Sequence, residues 1–273
     1  LQREKRFLHR SGRVIWAQVS MSLVKSAHSL TPYFIVQFVD ITARKEMEHV
    51  KDEFVSVVSH ELRTPLTAMR GAIGLIMGAM RQDISDRVAK LMDIASSNCE
   101  RLIVLVNDIL DMDRLASGNL PLSFEQASLG AVVRQAVEMH RPWALQQGLD
   151  LQCLVDEDGL QARIDVSRCV QVLTNFLSNA IKFSPSGAVV EVVLQRRGQQ
   201  ACISVCVHGP GIPDAFRDRI FGRFAQADSP LTRQRGGSGL GLYIARQLAE
   251  RMGGEVGYET ALGPGTTFLA KLP

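Results

Sequence analysis

The sequence lacks any long apolar run that could form a membrane-spanning helix. No stretch approaches the about 18 consecutive apolar residues that such a helix needs, and there is no signal peptide. We therefore expect a cytoplasmic chain without membrane contact of its own. Because it begins at Leu1 rather than Met, we also expect upstream sequence, in which a membrane anchor could lie.

Charge and cysteine content exclude further classes. The net charge is only +3 and no dense Lys/Arg block occurs, which argues against a nucleic-acid partner. The five cysteines form no CxxC pair, so buried thiols in a reducing compartment are expected rather than zinc or disulfides. With 46% hydrophobic residues, the 273-residue chain has material for about two domains with cores of their own.

Residues 1 to about 40 read as β-strands. Strands are predicted at Arg13–Val24 and Tyr33–Val39, with a turn-rich stretch ending at Pro32 between them. Gly12 marks another turn, which predicts a hairpin from Phe7 through Val24. The segment Arg10–Trp16, followed by Asp40-Ile41-Thr42, resembles the closing strands of a PAS domain. That resemblance implies that 1–42 is the C-terminal part of such a domain.

Two long helices are predicted next. Thr42 is a candidate N-cap for a helix from Ala43 to about Met80, and a polar connection at 81–85 leads to a second helix that ends near Ser117-Gly118. Apolar residues recur along both at three- and four-residue steps, beginning with Val50, Phe54, Val58, Leu62 and Leu66 in the first. A helical hairpin cannot bury such a stripe alone, so we expect a homodimer that forms a four-helix bundle. A coiled-coil scaffold without chemistry is the alternative.

The first helix carries a histidine with chemical helpers beside it. His60 lies away from the apolar stripe, Glu61 can accept a hydrogen bond from the imidazole and fix its tautomer, and Thr64 shares the face one turn later. Pro65 predicts a bend in this helix. The stretch Ser59-His60-Glu61-Leu62-Arg63-Thr64-Pro65 resembles the phosphoacceptor box of two-component sensor histidine kinases. Without that resemblance, a solvated His and Glu on a polar face would be the better interpretation.

The pattern beyond Pro121 predicts an α/β sandwich. Short strands at 149–155, 189–195, 202–207 and 266–271 alternate with helices at 129–147, 166–183 and 240–252. Together with the family resemblances, we expect an α+β fold class: a partial PAS-like β segment, a long helical hairpin forming a dimeric four-helix bundle, and an α/β sandwich that the histidine-kinase resemblance implies to be an ATP-binding domain.

A polar helix face in this part indicates a nucleotide site. Asn175, Asn179 and Lys182 stand at i, i+4 and i+7, where amide oxygens suit Mg²⁺ and an ammonium suits phosphate. The same residues would also suit an ordinary exposed helix. The stretch from Asn175 through Phe183 to Pro185 resembles the N box of the histidine-kinase ATP-binding domain. The resemblance implies that Asn179 binds Mg²⁺, Lys182 contacts the phosphates of ATP and Asn175 supports the site.

Three glycine clusters, at 209–212, 236–242 and 263–266, complete this resemblance. Glycines let backbone amides approach phosphate, and the second cluster opens a helix whose dipole favours anions, although any one cluster alone is an ordinary turn. With Ile220-Phe221-Gly222-Arg223-Phe224 they match the family's glycine and F boxes in order, and 213–236 is expected to be a mobile ATP lid. The binding residues implied in these clusters are Gly209, Gly211, Gly237, Gly239, Leu240, Gly241 and Thr267.

One position departs from the family pattern. The family has Asp two places before the first glycine, where it accepts a hydrogen bond from the adenine amino group, whereas this chain has Val207. A bound adenine would then bury an unsatisfied donor, at a cost of about 1 to 3 kcal/mol, or roughly ten- to a hundredfold in affinity. We expect weak ATP binding and loss of base discrimination.

The resemblance covers residues 43–273 and predicts a sensor histidine kinase. Its expected domains are 1–42, a dimerisation and phosphotransfer hairpin at 43–118, and an ATP-binding domain at 122–273. His60 would take the γ-phosphoryl group of ATP and pass it to the receiver domain of a response regulator. One alternative is a degenerate member, inactivated by Val207, that acts as a phosphatase through Thr64 or as a binding partner of other kinases. A gyrase-type ATPase shares the nucleotide fold but does not account for the box around His60.

Overall fold

The computed structural model describes residues 2–24, 33–79, 84–118, 120–155, 159–226, 238–261 and 265–273. By its internal contacts the chain divides into two compact units, residues 1–83 and 84–273. The predicted connection at 81–85 lies mostly outside the described residues, as does the predicted turn-rich stretch ending at Pro32.

The first unit opens with a three-stranded antiparallel sheet. Strands β1 (Gln2–Leu8), β2 (Val14–Val24) and β3 (Tyr33–Asp40) are hydrogen-bonded in the order β1-β2-β3. The turn between β1 and β2 needs a left-handed residue, which Gly12 supplies with φ 86°. The predicted hairpin from Phe7 through Val24 is therefore confirmed.

The two faces of this sheet differ in polarity. Because paired residues share a face, the register places apolar side chains of all three strands together on one side, and the rings of Phe7 and Phe38 lie 5.7 Å apart there. Phe38 is 60% exposed. The opposite face carries Trp16, whose ring lies near the cationic groups of Arg6 and Lys45. The apolar face is defined by Phe7, Ile15, Ala17, Val19, Met21, Leu23, Phe34, Val36 and Phe38, and it also carries Arg3, Lys5 and Asp40.

Helix α1 (Thr42–Ala79) follows β3 and is continuous through Pro65. The prediction that Thr42 is its N-cap is wrong, because Thr42 is already helical and its Oγ1 accepts a hydrogen bond from the Trp16 amide at 3.0 Å. The acceptor at this end is instead Asp40, whose Oδ1 accepts from the Thr42 amide at 2.8 Å. The sheet therefore takes the hydroxyl that was expected to cap the helix. Whether Pro65 bends α1 stays a prediction.

The second unit begins with helix α2 (Asp86–Ala116). Ser85 accepts a hydrogen bond from the Val88 amide and caps it, and the helix ends at Ser117-Gly118 as predicted, with Gly118 in the left-handed conformation. Among the described residues, no helix combines the length and apolar character that a membrane span requires.

The rest of this unit is a helix-on-sheet sandwich. Strands β5 (Asp150–Val155), β7 (Val189–Arg197), β8 (Gln200–Val207), β9 (Glu255–Ala261) and β10 (Gly265–Leu272) form one sheet in the order β5-β7-β8-β10-β9, parallel only between β5 and β7. Helices α3 (Leu129–Gln146), α4 (Val166–Phe183) and α6 (Gly241–Arg251) pack with it. Phe176 of α4 stacks on Phe268 of β10 with ring centroids 5.5 Å apart, in the middle of the core.

These elements confirm the predicted α/β sandwich, with three further strands and a short helix that the sequence pattern did not indicate. Strands β4 (Glu125–Ser128) and β6 (Gln161–Ile164) pair with each other, and β9 lies at the edge of the large sheet. Each is short or interrupted by Gly257, so a period of two is hard to detect in it. Helix α5 (Asp214–Arg217) is a single turn.

Candidate active site

The polar face of α4 is held in place from its first residue. Asp165 caps the helix and is buried, with hydrogen bonds from the Ser123 amide (2.9 Å), Ser167 Oγ (2.7 Å) and the Arg168 amide (3.1 Å). Burial by itself would raise the pKa of Asp165, but these hydrogen bonds outweigh it and the pKa lies below its ordinary value.

The three predicted residues of α4 share one face. Asn175, Asn179 and Lys182 are each partly exposed, whereas Phe176 and Ile181 between them are buried in the core. Within the described part of the chain, the side-chain amide of Asn179 makes no hydrogen bond, so its oxygen is available to a ligand. Phe183 ends the helix and packs at the edge of the core.

The second glycine cluster touches this face directly. Gly241, the first residue of α6, lies against Asn175, and a Cβ built on Gly241 would stand 2.6 Å from Asn175 Oδ1. A larger residue at position 241 would therefore push the Asn175 side chain out of its present position. Before α6, the Leu240 amide donates to Ser238 Oγ at 3.2 Å, and Gly239 adopts φ 69° against the backbone of Phe224. Gly237, the remaining residue predicted in this cluster, lies outside the described residues.

The first and third glycine clusters meet at the end of β8. A Cβ on Gly209 would lie 3.0 Å from the Phe183 carbonyl oxygen, and the His208 amide donates to Ser184 Oγ at 3.1 Å. Gly211 follows with φ 78°. Gly265, with φ 109°, leaves no room for a Cβ beside the carbonyl of Val207. The first and third turns therefore meet beside the end of α4, whereas the second turn contacts α4 at Asn175.

Val207 lies beside Gly209 and Gly265 of the first and third glycine clusters and is 4% exposed. The register pairs Val207 with Thr266, so both side chains point to the face of the sheet on which Phe268 meets α4. The predicted site residue Thr267 pairs with Cys206 and points to the opposite face. The structure therefore brings Thr266, rather than Thr267, to the side of Val207, because a one-residue shift along a strand reverses the face.

Arginine and aromatic residues fasten the F box to α6, a contact that sequence reasoning missed. The Arg223 guanidinium lies 5.1 Å from the Tyr243 ring centroid and donates to its hydroxyl at 3.0 Å. Arg246 lies over Phe221 at 5.7 Å. Tyr243 and Arg246 are three residues apart and therefore share one face of α6, and this spacing is the sequence feature that could have indicated the contact with the F box. Of the predicted lid at 213–236, residues 227–236 lie outside the described part.

Lys182 has charged neighbours on α2. Burial lowers the pKa of Lys182, the positive charge of Arg101 lowers it further, and the carboxylate of Asp108 opposes both. Burial likewise raises the pKa of Asp108, which accepts a hydrogen bond from Ser238 Oγ at 2.6 Å. Sequence reasoning did not single out either α2 residue, because helical periodicity gives no partner for a polar position.

The predicted phosphoacceptor box lies in α1 of the first unit. Ser59 is buried, whereas Glu61 and Thr64 are exposed on the helix. The backbone of His60 is helical, and its side chain lies outside the described part of the structure. Along the apolar stripe of this helix, Phe54 is 66% and Leu62 47% exposed, whereas Leu66 is buried.

Two family models match the chain in the order that the fold presents. Residues 50–118 match the His Kinase A (phospho-acceptor) domain, and residues 164–273 match the histidine kinase-, DNA gyrase B- and HSP90-like ATPase. A phosphoacceptor hairpin followed by an ATPase domain of this type defines a histidine kinase catalytic region. The first match also separates the chain from the gyrase-type alternative.

Sequence and structure comparisons agree with this class. The chain is 35% identical over 236 residues to hybrid signal transduction histidine kinase D of Dictyostelium discoideum, covering 84% of the chain and 15% of that protein. It is 32% identical over 269 residues to sensor histidine kinase WalK of Bacillus subtilis (strain 168), covering 97% of the chain and 44% of that protein. The solved structure of full-length ShkA in complex with AMPPNP matches 81% of the chain and 45% of that chain, with a TM-score of 0.65 and 31% identity.

The chain therefore belongs to the two-component sensor histidine kinases. It spans less than half the length of the curated relatives named above.

Proposed function

We propose that the chain is the kinase core of a sensor histidine kinase, which transfers the γ-phosphoryl group of ATP to His60 and then to an aspartate of a response regulator. The observation that carries the proposal is the contact of two glycine turns with α4, Gly241 at Asn175 and Gly209 at the Phe183 carbonyl, together with the phosphoacceptor match at 50–118. The ShkA complex contains an ATP analogue, which supports ATP as the nucleotide.

The residues of α4 fit a metal-bound triphosphate. Asn179 offers an amide oxygen without a partner among the described residues, which suits Mg²⁺, and Lys182 offers an ammonium on the same face. Asn175 lies against Gly241, at the start of α6. Bound Mg²⁺ would neutralise phosphate charge during transfer. The N-terminus of α6 would supply backbone amides and a helix dipole that favour the phosphates.

His60 acts as the nucleophile in this proposal. One ring nitrogen of neutral imidazole attacks the γ-phosphorus, the new N–P bond forms as the bond to the β-phosphate oxygen breaks, and ADP leaves. Glu61 accepts the N–H of the other ring nitrogen and can take its proton, which leaves phosphohistidine with a neutral ring. Thr64, one turn away, can hold a water near the ring, which would serve a phosphatase reaction that releases inorganic phosphate.

The base-binding end of the site is weaker than its phosphate-binding end. Val207 is buried where an acceptor for the adenine amino group is expected, and its side chain cannot accept a hydrogen bond. We therefore propose low affinity for ATP and weak discrimination between purines. Loss of kinase activity, with retained phosphatase or binding function, is the competing outcome.

We also propose the arrangement of the whole chain. Residues 1–42 would be the last part of a PAS domain, which the antiparallel strand order β1-β2-β3 supports, followed by the hairpin at 43–118 and the ATP-binding domain at 122–273. The exposed apolar residues of α1 support a homodimer, in which a second copy covers them.

Radiolabelled ATP tests the transfer. We expect label from [γ-³²P]ATP on the parent chain and on His140→Gln, a control because His140 bonds to its own helix through the Ala136 carbonyl. His60→Gln should take up no label. Label that is absent from the parent but appears in Val207→Asp would establish the degenerate form, and equal label on His60→Gln would exclude His60 as the acceptor.

A further inference from the structure

The C-terminal half of α2 is joined to the ATPase domain by polar contacts. Arg251 of α6 donates to the carbonyl oxygens of Leu115 and Leu120, each at 3.2 Å. Asp111 accepts from Gln171 Nε2 at 2.6 Å, and one of its oxygens lies 3.5 Å from Arg168. These contacts hold α2 along α4 and α6.

Asp108 makes a contact of another kind. Its Oδ2 accepts the Ser238 hydroxyl at 2.6 Å, and Ser238 Oγ in turn accepts the Leu240 amide at 3.2 Å. Ser238 and Leu240 belong to the turn that opens α6, where a phosphate would find its donors. In this arrangement the donors are already directed, through Ser238, to a carboxylate of α2.

The charge of Asp108 also acts on Lys182 of α4, the residue proposed to contact the phosphates. Asp108 and Lys182 attract each other electrostatically, and Arg101 faces the same group from α2. A carboxylate resembles a phosphate oxygen in charge and in accepting hydrogen bonds. Asp108 therefore interacts with the Ser238 hydroxyl and the Lys182 ammonium, two kinds of group that would also bind a triphosphate.

We propose that Asp108 competes with the phosphates of the nucleotide for Ser238 and Lys182, so that the position of α2 governs nucleotide affinity. The proposal rests on the proposed function, since it concerns the same site. A phosphate that takes the Ser238 hydroxyl must either displace Asp108 or lie beside a like charge, and both are unfavourable. Movement of α2 away from the turn releases both ligands, which links the helical hairpin to nucleotide loading without any change in the ATPase fold.

Titration of the full 273-residue chain with AMPPNP and Mg²⁺ tests the competition. Asp108→Asn removes the charge and keeps an acceptor of the same shape, whereas Asp108→Ala removes both. We expect each variant to bind AMPPNP more tightly than the parent, on the order of tenfold. Asp111→Asn is the matched control, because Asp111 lies one turn further along α2 and contacts Gln171 and Arg168. Its affinity should stay within about twofold of the parent.

Each other result counts against the proposal in a distinct way. Unchanged or weaker binding by both Asp108 variants, with parent binding intact, overturns the competition and leaves the proposed function in place. If Asp111→Asn raises the AMPPNP affinity as much as the Asp108 variants do, the packing of α2 against the ATPase domain sets the affinity, rather than competition by Asp108 for Ser238 and Lys182. Absence of binding in the parent and in all variants overturns the proposed function as well.

Discussion

Gly241 at the start of α6 lies so close to Asn175 of α4 that a methyl group on Gly241 would stand 2.6 Å from Asn175 Oδ1. The side chain of Asn175 can turn away to relieve this contact, so Gly241→Ala should leave the fold intact while displacing the amide from the site. We expect AMPPNP affinity to fall by about tenfold, the equivalent of one lost polar contact. Titration calorimetry measures the affinity, and thermal unfolding reports on the fold.

Two glycines in the same domain serve as comparisons. Gly257 of β9 has open space around its Cα, so Gly257→Ala should leave the affinity unchanged. Gly239 has φ 69°, and a Cβ built on it would stand 2.8 Å from the Phe224 carbonyl carbon. Gly239→Ala should therefore lower the free energy of unfolding by about 1 to 3 kcal/mol. Equal affinities for Gly241→Ala and the parent would show that Asn175 has no part in binding.

The register of β8 and β10 predicts different effects for two neighbouring threonines. Thr266 faces the side of Val207 and its Oγ1 lies 2.9 Å from Thr260 Oγ1, whereas Thr267 faces the other side. Thr266→Val should weaken AMPPNP binding several-fold and lower the unfolding free energy by about 1 kcal/mol. Thr267→Val should change the affinity less than about twofold. The reverse order of effects would restore Thr267 as the site residue.

Val207→Asp should restore an acceptor for the adenine amino group. We expect ATP to bind roughly ten- to a hundredfold more tightly and the preference for ATP over GTP to rise, since guanine presents an acceptor there. Without ligand, the buried carboxylate should lower the unfolding free energy by about 1 to 3 kcal/mol. Val207→Leu, which adds no acceptor, is the control. An unchanged ATP to GTP ratio in Val207→Asp would show that position 207 does not contact the base.

Asp165 should contribute stability that depends on pH. Its pKa in the folded chain lies below the ordinary value of 3.8, so its contribution is fully present above pH 3.8 and is lost as the pH falls through the lower, folded pKa. Asp165→Ala removes the acceptor of three hydrogen bonds, and we expect a loss of about 2 to 3 kcal/mol at pH 7. Urea unfolding of the parent and of Asp165→Ala, repeated at steps of about one pH unit between pH 2 and 7, measures how the difference in their free energies of unfolding changes with pH.

The control for this loss is Asp218→Ala, because Asp218 is exposed at the end of α5. It should shift the unfolding free energy by less than about 0.5 kcal/mol. A difference between Asp165→Ala and the parent that stays constant down to pH 2 would contradict the assigned role of the carboxylate.

Sequence periodicity predicted the long elements of the fold well. Helix α4 has the predicted bounds, Val166–Phe183, because its buried face repeats every three to four residues. The hairpin at Gly12 was also predictable from one residue that needs a positive φ. Strand β4 was not, since four residues with three polar side chains carry no detectable period.

The sequence named residues for the candidate site, but it did not predict their contacts. Asn175 and Gly241 were both singled out, yet their approach depends on how α4 packs against α6, which the sequence does not state. Thr267 was placed one position from Thr266 because motif matching does not fix strand register. Asp108 was missed because its partner Ser238 is 130 positions away in the chain.

The link between β2 and α1 bears on where this protein can be cut. Thr42 Oγ1 and the Ile41 amide both bond to the backbone of Trp16, so a truncation that begins at Thr42 removes the anchor of the first helical turn. The same cut discards the apolar face of the three-stranded sheet, on which Phe34 and Phe38 are more than half exposed. A shortened protein should therefore gain solubility while its leading turn frays.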